Sequence, residues 1–290
     1  ALVATGSLLV TSLTIGLALY AMHARREAEI RRAQAENLIT FMLGDLRKSL
    51  ERIGQLELLD SIGNQAMGYF AAIGEQGTER EMLERAKALK QIGDVRFNQG
   101  ELEPALAAFR QALSQTRALY DADPRNNDYL FELGQAEFWV GYVAWQRGDL
   151  GGAYQSMQRY MEYSRELSRR APANDDYRLE LSYAHSNLGS VALAQGRPQV
   201  ALDEFGDALS LAESLLAKSP KDYELAFNVA DTHSWIGTTL LELGRLAEAR
   251  DEFARAAAVM QPFHRQAHDK RASYNYCGLL ILQAGADISR

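Results

Sequence analysis

Residues 188–209 read LGSVALAQGRPQVALDEFGDAL, and variants of this stretch recur along the chain at a fixed spacing of 48 residues. Small, large apolar and helix-breaking residues keep their places in the repeated unit. The columns are Gly93, Gly141, Gly189, Gly237 and Gly285; Gly100, Gly148, Gly196 and Gly244; Ala105, Ala153, Ala201 and Ala249; Phe109, Met157, Phe205 and Phe253; Ala112, Tyr160, Ala208 and Ala256; and Pro124, Pro172, Pro220 and His268. A fixed period of this size predicts an α-solenoid of stacked helix pairs.

Each column predicts a local structural role. The second glycine column ends a helix, because glycine adopts the left-handed backbone conformation at little cost. The first glycine column lies within a helix, where glycine costs about 1 kcal/mol relative to alanine and allows the paired helix to pack closely. The alanine columns share one face of the second helix, and Phe109 and its equivalents are expected to fill the space between units. The proline column stops the second helix.

These columns resemble the tetratricopeptide repeat (TPR), whose unit is a helix–turn–helix. The resemblance is carried by Ile92-Gly93, Gly100, Leu102, Ala105, Phe109 and Ala112-Leu113 in the first unit; Val140-Gly141, Gly148, Leu150 and Ala153 in the second; Leu188-Gly189, Gly196, Ala201, Phe205 and Ala208-Leu209 in the third; and Ile236-Gly237, Gly244, Leu246, Ala249, Phe253 and Ala256 in the fourth. The period exceeds the usual ~34 residues, which predicts lengthened helices of about 20 residues.

The resemblance implies an all-α fold in which TPR-like hairpins form a right-handed superhelix. The solenoid is expected over residues 79–290. Its units are about 79–126, 127–174, 175–222 and 223–270, and a half unit occupies 271–290.

An uncharged run precedes the repeats. No residue from Ala1 to Met22 carries a charge, and His23, Arg25 and Arg26 come directly after it. A helix over this run would be roughly 33 Å long, against about 30 Å for the hydrocarbon core of a bilayer. We therefore predict a transmembrane helix over residues 1–23 and a single-pass membrane protein. A signal peptide is disfavoured because no basic region precedes the run. The arginines favour a cytoplasmic location for the C-terminal side of the span, but the side of the repeats stays open without an upstream flank.

Residues 24–78 are predicted to form a juxtamembrane helical connector that caps the solenoid. Apolar residues in this segment have a heptad spacing; they are Ile39, Leu43, Leu46, Leu50 and Ile53. Such a stripe either forms a homodimeric coiled coil or packs on the next helix of the same chain. The arrangement of span, connector and repeats looks like the C-terminal region of bacterial multidomain signalling proteins, and we expect an effector domain upstream.

Composition excludes several classes of protein. The 290 residues include 31 Lys and Arg and 38 Asp and Glu, a net charge of -7, and this acidic balance argues against a nucleic-acid partner. Because Cys277 is the only cysteine, an intrachain disulfide and a multi-cysteine zinc site are both excluded.

No catalytic motif is present in the sequence. There is no phosphate-binding glycine loop, no nucleophile elbow and no HExxH zinc helix. His264 and His268 are four residues apart but lack a third ligand, while His185 and His233 occupy equivalent positions, which indicates a shared packing environment. We expect no enzyme activity, cofactor or metal.

In the TPR family the first helix of each unit lines the concave face of the superhelix. The resemblance places on this face Lys87, Lys90, Asp94 and Phe97; Phe138, Tyr142 and Trp145; Tyr183, Ser186, Asn187 and Ser190; and Asp231, Ser234, Thr238 and Leu241. The candidate groove residues are Lys90, Asp94, Phe138, Tyr142, Trp145, Tyr183, Asn187, Ser190 and Thr238. The stripe Phe138, Tyr142 and Trp145 either contacts a partner or packs against the neighbouring unit.

The sequence therefore predicts a membrane-anchored TPR scaffold or sensor that binds a protein or peptide segment. The alternative is a structural scaffold that dimerises through the span and the juxtamembrane helix.

Overall fold

The computed structural model describes residues 17–26, 28, 30, 35, 65–70 and 78–266. Within residues 78–266, eight helices succeed one another as four pairs. They are α1 (Glu79–Asn98), α2 (Leu102–Ala122), α3 (Asn127–Gln146), α4 (Leu150–Arg170), α5 (Asp175–Ala194), α6 (Pro198–Lys218), α7 (Tyr223–Glu242) and α8 (Leu246–Gln266). The first helix of each pair has 20 residues and the second has 21.

A polar side chain starts the first helix of every pair. Thr78 forms a capping box with Glu81, and three further caps occur at intervals of 48 residues. In these, Asn126 Oδ1 accepts the Asp128 N–H at 2.9 Å, Asn174 Oδ1 accepts the Asp176 N–H at 2.9 Å, and Asp222 Oδ1 accepts the Leu225 N–H at 3.1 Å. Each cap satisfies a backbone donor that a helix start leaves without an intrahelical partner.

The same turn joins the two helices of each pair. In the third pair Gly196 has φ +70°, its N–H donates to the Leu193 carbonyl at 2.8 Å, and the Arg197 N–H donates to the Ala192 carbonyl at 2.9 Å. These two bonds define a Schellman motif, and both recur at the turns of Gly100, Gly148 and Gly244. The role predicted for the second glycine column is thus confirmed.

The described residues form two compact units, divided within α2 between Gln115 and Thr116. In the first unit Ala66 and Phe70 pack with Leu89, Ile92 and Ala112 in one apolar cluster. In the second unit each helix from α3 to α8 packs on its neighbours in the chain, and α5 also contacts α7. The first helices of successive pairs therefore lie side by side in the second unit.

In three of the four pairs a phenyl ring lies against the glycine of the first column. A Cβ atom built on Gly189 would lie 2.9 Å from Cε1 of Phe205, a distance that real side chains do not tolerate. The equivalent distances are 2.5 Å for Gly93 and Phe109 and 2.7 Å for Gly237 and Phe253. These rings were expected to fill the space between units. Each ring instead makes a close contact with the glycine on the first helix of its own hairpin.

Phe205 also reaches the next pair of helices. Its ring stacks on Trp235 of α7, with the centroids 5.9 Å apart and the planes at 18°. It is fully buried in a cluster with Ala192 and Ala201, against which Tyr154 of α4 also packs. The cluster around Phe205 thus joins three successive pairs.

Carboxylates and imidazoles connect the two helices of a pair. His185 Nδ1 lies 2.7 Å from Glu204 Oε2, and the equivalent His233 Nδ1 lies 2.6 Å from Glu252 Oε2. The shared packing environment predicted for the two histidines is confirmed. In the preceding pair the buried Glu137 takes the histidine position and accepts from Arg159 Nε at 2.7 Å, so the carboxylate lies on the first helix of that pair.

Most of the predicted N-terminal span lies outside the described residues. Residues 17–26 are helical, and Leu17, Leu19, Tyr20 and Met22 are exposed. No helix among the described residues is long and apolar enough to cross a membrane. The heptad stripe of residues 39–53 and the half unit at 271–290 also fall outside the described part of the chain.

Candidate functional site

A groove of about 440 Å³ opens along the first helices of the last three pairs. Its walls are Tyr142, Trp145 and Gln146 of α3; Tyr183, Ser186, Asn187 and Ser190 of α5; and Glu224, Phe227, Asn228, Asp231 and Trp235 of α7. Within each helix these positions are mostly three or four residues apart, so they form one face. The three faces together make a continuous surface of aromatic and polar side chains.

Five of the candidate residues proposed from the sequence lie in this groove. They are Tyr142, Trp145, Tyr183, Asn187 and Ser190. Phe138 does not line the groove. The centroid of its ring lies 5.7 Å from that of Tyr142 and 5.6 Å from that of Tyr160. All three aromatic residues of the α3 stripe pack on a cluster that includes Ala184 and Leu188 of α5. The stripe therefore packs against the neighbouring unit, and Tyr142 and Trp145 also line the groove. Contact of these residues with a partner stays a prediction.

The remaining candidates lie elsewhere. Thr238 is outside the groove lining, and its hydroxyl donates to the Ser234 carbonyl at 2.9 Å. Lys90 and Asp94 belong to α1, in the other compact unit, where Asn98 Nδ2 donates to Asp94 Oδ1 at 3.5 Å.

On α7 the groove reaches further toward the helix start than the sequence indicated. The inner face was predicted to run from Asp231 toward the C-terminal end of the helix, whereas the lining runs from Glu224 to Trp235. Glu224, Phe227, Asn228 and Trp235 of this helix were missed. Extending the stripe from Asp231 toward the N-terminus by seven and four residues would have found Glu224 and Phe227.

Contacts outside the groove hold its α7 rings in place. Trp235 is stacked on the buried Phe205, and Phe227 is stacked on Tyr223 with the centroids 6.4 Å apart and the planes at 14°. On the opposite wall, Tyr142 and Trp145 meet edge to face at 6.0 Å. Rings that are already ordered lose little conformational entropy when a partner binds.

The small polar side chains of the groove use donors internally. The Ser190 hydroxyl donates to the Ser186 carbonyl at 2.9 Å, and Asn187 Nδ2 donates to the Tyr183 carbonyl at 2.7 Å. A hydroxyl has one proton to donate, and an amide oxygen only accepts. Ser190 and Asn187 therefore offer mainly acceptors to a molecule in the groove.

The groove is also electrically negative. Its lining includes Glu224 and Asp231, and none of the lining residues is Lys, Arg or His. Asp231 is exposed to solvent but has groove walls around it, and this partial loss of water raises the pKa of its carboxyl; a hydrogen bond from Trp235 opposes the shift. Burial raises the pKa of Tyr183, and so do the negative charges of nearby acidic residues. Within the part of the chain that the structure describes, no group of three or more His, Cys, Asp or Glu side chains could hold a metal ion.

The chain is similar to solved structures of TPR-like repeat proteins. BtubC (BKLC) from P. vanneervenii is 15% identical, with 82% of this chain and 85% of that chain covered and a TM-score of 0.51. A Podosopora anserina putative kinesin light chain with nearly identical TPR-like repeats is 12% identical, with 79% and 98% covered and a TM-score of 0.54. The apo form of RapI is 11% identical, with 86% and 84% covered and a TM-score of 0.58.

At these identities the likeness shows the fold, and the all-helical, TPR-like solenoid predicted from the sequence is confirmed. No protein-family model matches the sequence, and no curated protein matches it.

Proposed function

We propose that this chain is a non-catalytic scaffold that binds a segment of a partner protein in the groove between α3, α5 and α7. The groove itself is the observation that supports the proposal: ordered aromatic rings and hydrogen-bond acceptors line one concave surface. Adjacent helices lie about 10 Å apart, so three of them span roughly 20 Å. That length accommodates about six residues of an extended chain at ~3.3 Å per residue.

The lining suits an extended segment. Aromatic side chains are the usual anchors of protein interfaces, because they bury a large area with few rotatable bonds. A peptide backbone brings N–H donors at regular intervals, and the acceptor oxygens of Asn187 and Ser190 lie on the central helix of the groove. Side chains of the segment would contact Trp145 on one wall and Phe227 on the other.

Replacing Trp145 by alanine tests this proposal. The whole chain would first be used to select binders from a phage-displayed random peptide library, and the enriched peptides would be labelled for fluorescence anisotropy. We expect Trp145→Ala to weaken their binding at least tenfold, roughly the effect of losing about 1.4 kcal/mol or more at an interface anchor. Tyr183→Ala is expected to act in the same direction.

Phe131→Ala is the control, since it removes an aromatic side chain from the same helix outside the groove lining, where its ring contacts Tyr177. It should leave the affinity within about threefold, a difference of under ~0.7 kcal/mol. Equal losses for Phe131→Ala and Trp145→Ala would contradict the assignment of the groove, as would a failure to enrich any peptide.

We further propose that the chain is a single-pass membrane protein whose repeats relay binding to an attached effector domain. The support comes from the sequence: the uncharged run of residues 1–22 and the arginines behind it, together with the likeness of this arrangement to bacterial signalling proteins.

Membrane insertion is tested by charging the run. Leu9→Lys combined with Leu13→Lys should move the chain from the carbonate-resistant membrane fraction to the soluble fraction, because each charge near the centre of a span costs about 2.5–3.5 kcal/mol of insertion free energy. The control, Leu9→Ala with Leu13→Ala, should stay in the membrane fraction. Recovery of the unaltered chain in the soluble fraction would refute the anchor.

A further inference from the structure

We propose that the segment bound in this groove carries an arginine or lysine side chain, whose cation pairs with Asp231 between the rings of Phe227 and Trp235. The inference rests on the proposed function, since it names the class of segment that the groove takes. Its support is the position of Asp231, the charge of the groove, its hydrogen-bonding groups and its rings.

Asp231 lies at the centre of the groove face of α7. Phe227 is one turn before it and Trp235 one turn after it, and all three residues line the groove. Side chains four residues apart on a helix are neighbours, so the carboxylate has an aromatic ring on each side. A cation placed there lies beside a negative charge and two aromatic rings, and cation–π recognition uses the same groups.

Within the described part of the chain, Asp231 forms no salt bridge, and the side chain that lowers the pKa of its carboxyl is the neutral indole of Trp235. Its carboxyl pKa is raised because the groove walls remove water from it. A cation bound beside the carboxylate would stabilise the ionised form, which water does for an aspartate on a convex surface. The site therefore favours a positively charged ligand group.

The rest of the groove also favours a positively charged ligand group. Glu224 adds a second negative charge about two helical turns away on α7, and the charges of Glu180 and Asp222 act on Tyr183 of the central helix α5. A concave surface lined by one sign of charge concentrates the potential inside it. An acidic segment would be repelled at every one of these positions.

The hydrogen-bonding groups of the groove also favour a cationic side chain. A guanidinium has five N–H donors and no acceptor, and an ammonium has three donors. The groove supplies carboxylate oxygens at Asp231 and acceptor oxygens at Ser190 and Asn187. The Ser190 hydroxyl proton and one N–H of Asn187 are engaged with backbone carbonyls. An arginine fits better than a lysine, because its planar group can also stack on the fixed rings of Phe227 and Trp235.

The test uses labelled peptide pools that differ at one position. Each pool has a central arginine, lysine, methionine or glutamate, and its flanking positions are randomised over uncharged residues. Binding to the whole chain is measured by fluorescence anisotropy. We expect the arginine pool to bind at least about tenfold more tightly than the methionine pool, in line with a charge-assisted hydrogen bond. The lysine pool should be intermediate and the glutamate pool weakest.

Asp231→Asn removes the charge with little change of shape, and it should lower the affinity of the arginine pool about tenfold while leaving the methionine pool unchanged. The control is Asp203→Asn, which removes an exposed carboxylate of α6 outside the groove and should change neither affinity. The preference for arginine should also decrease with added salt, since salt screens a partly exposed ion pair.

The possible failures are distinguishable. If all pools bind with equal affinity and Trp145→Ala abolishes that binding, the groove binds peptides and the inference of a basic side chain is wrong. If the glutamate pool binds most tightly, or Asp231→Asn leaves the arginine preference intact, the inference is likewise overturned. If no pool binds, the inference and the proposed function fail together.

Discussion

Replacing Phe205 by alanine is expected to lower the free energy of unfolding by about 3–5 kcal/mol. The ring is fully buried, lies against Gly189 of α5 and stacks on Trp235 of α7. Its removal would leave a cavity where three successive helix pairs meet, so the surrounding side chains cannot all close in. Denaturant unfolding of the whole chain, monitored by circular dichroism at 222 nm, measures the loss.

Two comparisons make this result specific to the packing of the ring. Phe205→Leu keeps most of the apolar volume and should cost about 1–2 kcal/mol. Phe131→Ala removes a half-buried ring whose centroid lies 6.3 Å from that of Tyr177. It should lower the free energy of unfolding clearly less than Phe205→Ala does. A cost for Phe205→Ala that is no greater than that for Phe131→Ala would show that the ring does not hold the helix pairs together.

Replacing Gly189 by alanine is expected to destabilise the protein by about 1–3 kcal/mol. Alanine is normally the better helix former, by up to ~1 kcal/mol. Here the added Cβ would lie 2.9 Å from the ring of Phe205, and that ring is held by Trp235 on another side. Either the ring must shift or the two helices must move apart.

Gly206→Ala is the matched control. Gly206 is also a helical glycine of the same pair, but it is exposed and has nothing within 4 Å of the added Cβ. This change should stabilise the protein by about 0.5–1 kcal/mol, so the two glycine replacements should differ in sign. Combining Gly189→Ala with Phe205→Leu should cost less than the sum of the single changes, because the smaller side chain relieves the clash. Stabilisation by Gly189→Ala would contradict the close contact.

The sequence was sufficient to predict the fold because the repeated residues act locally. A glycine such as Gly196 ends a helix through its own backbone conformation, and a proline such as Pro220 prevents the helix from continuing. The cap residues Asn126, Asn174 and Asp222 repeat with the same period, and their pattern could have located the helix starts as well.

The groove was harder to predict, because periodicity indicates which face of a helix points inward but not which of its turns meets a neighbour. On α5 the predicted face from Tyr183 to Ser190 is the face that lines the groove. On α7 the lining is displaced toward Glu224, since the extent of a groove depends on how helices of different pairs stack. Phe138 shows the other difficulty: a half-buried aromatic residue has the same sequence pattern in a core as in a groove.

The start and turn signals that recur in every hairpin allow the scaffold and the binding surface to evolve separately. Because these signals lie inside the 48-residue unit, whole units can be duplicated in frame without the need for a new junction. Residues on the groove face take no part in these signals and can diverge after duplication. Tyr183 and Asp231 illustrate this, since they occupy equivalent positions of adjacent units yet present a ring and a carboxylate to the same groove. Repeated residues thus preserve the scaffold, while the positions between them can be selected for a ligand.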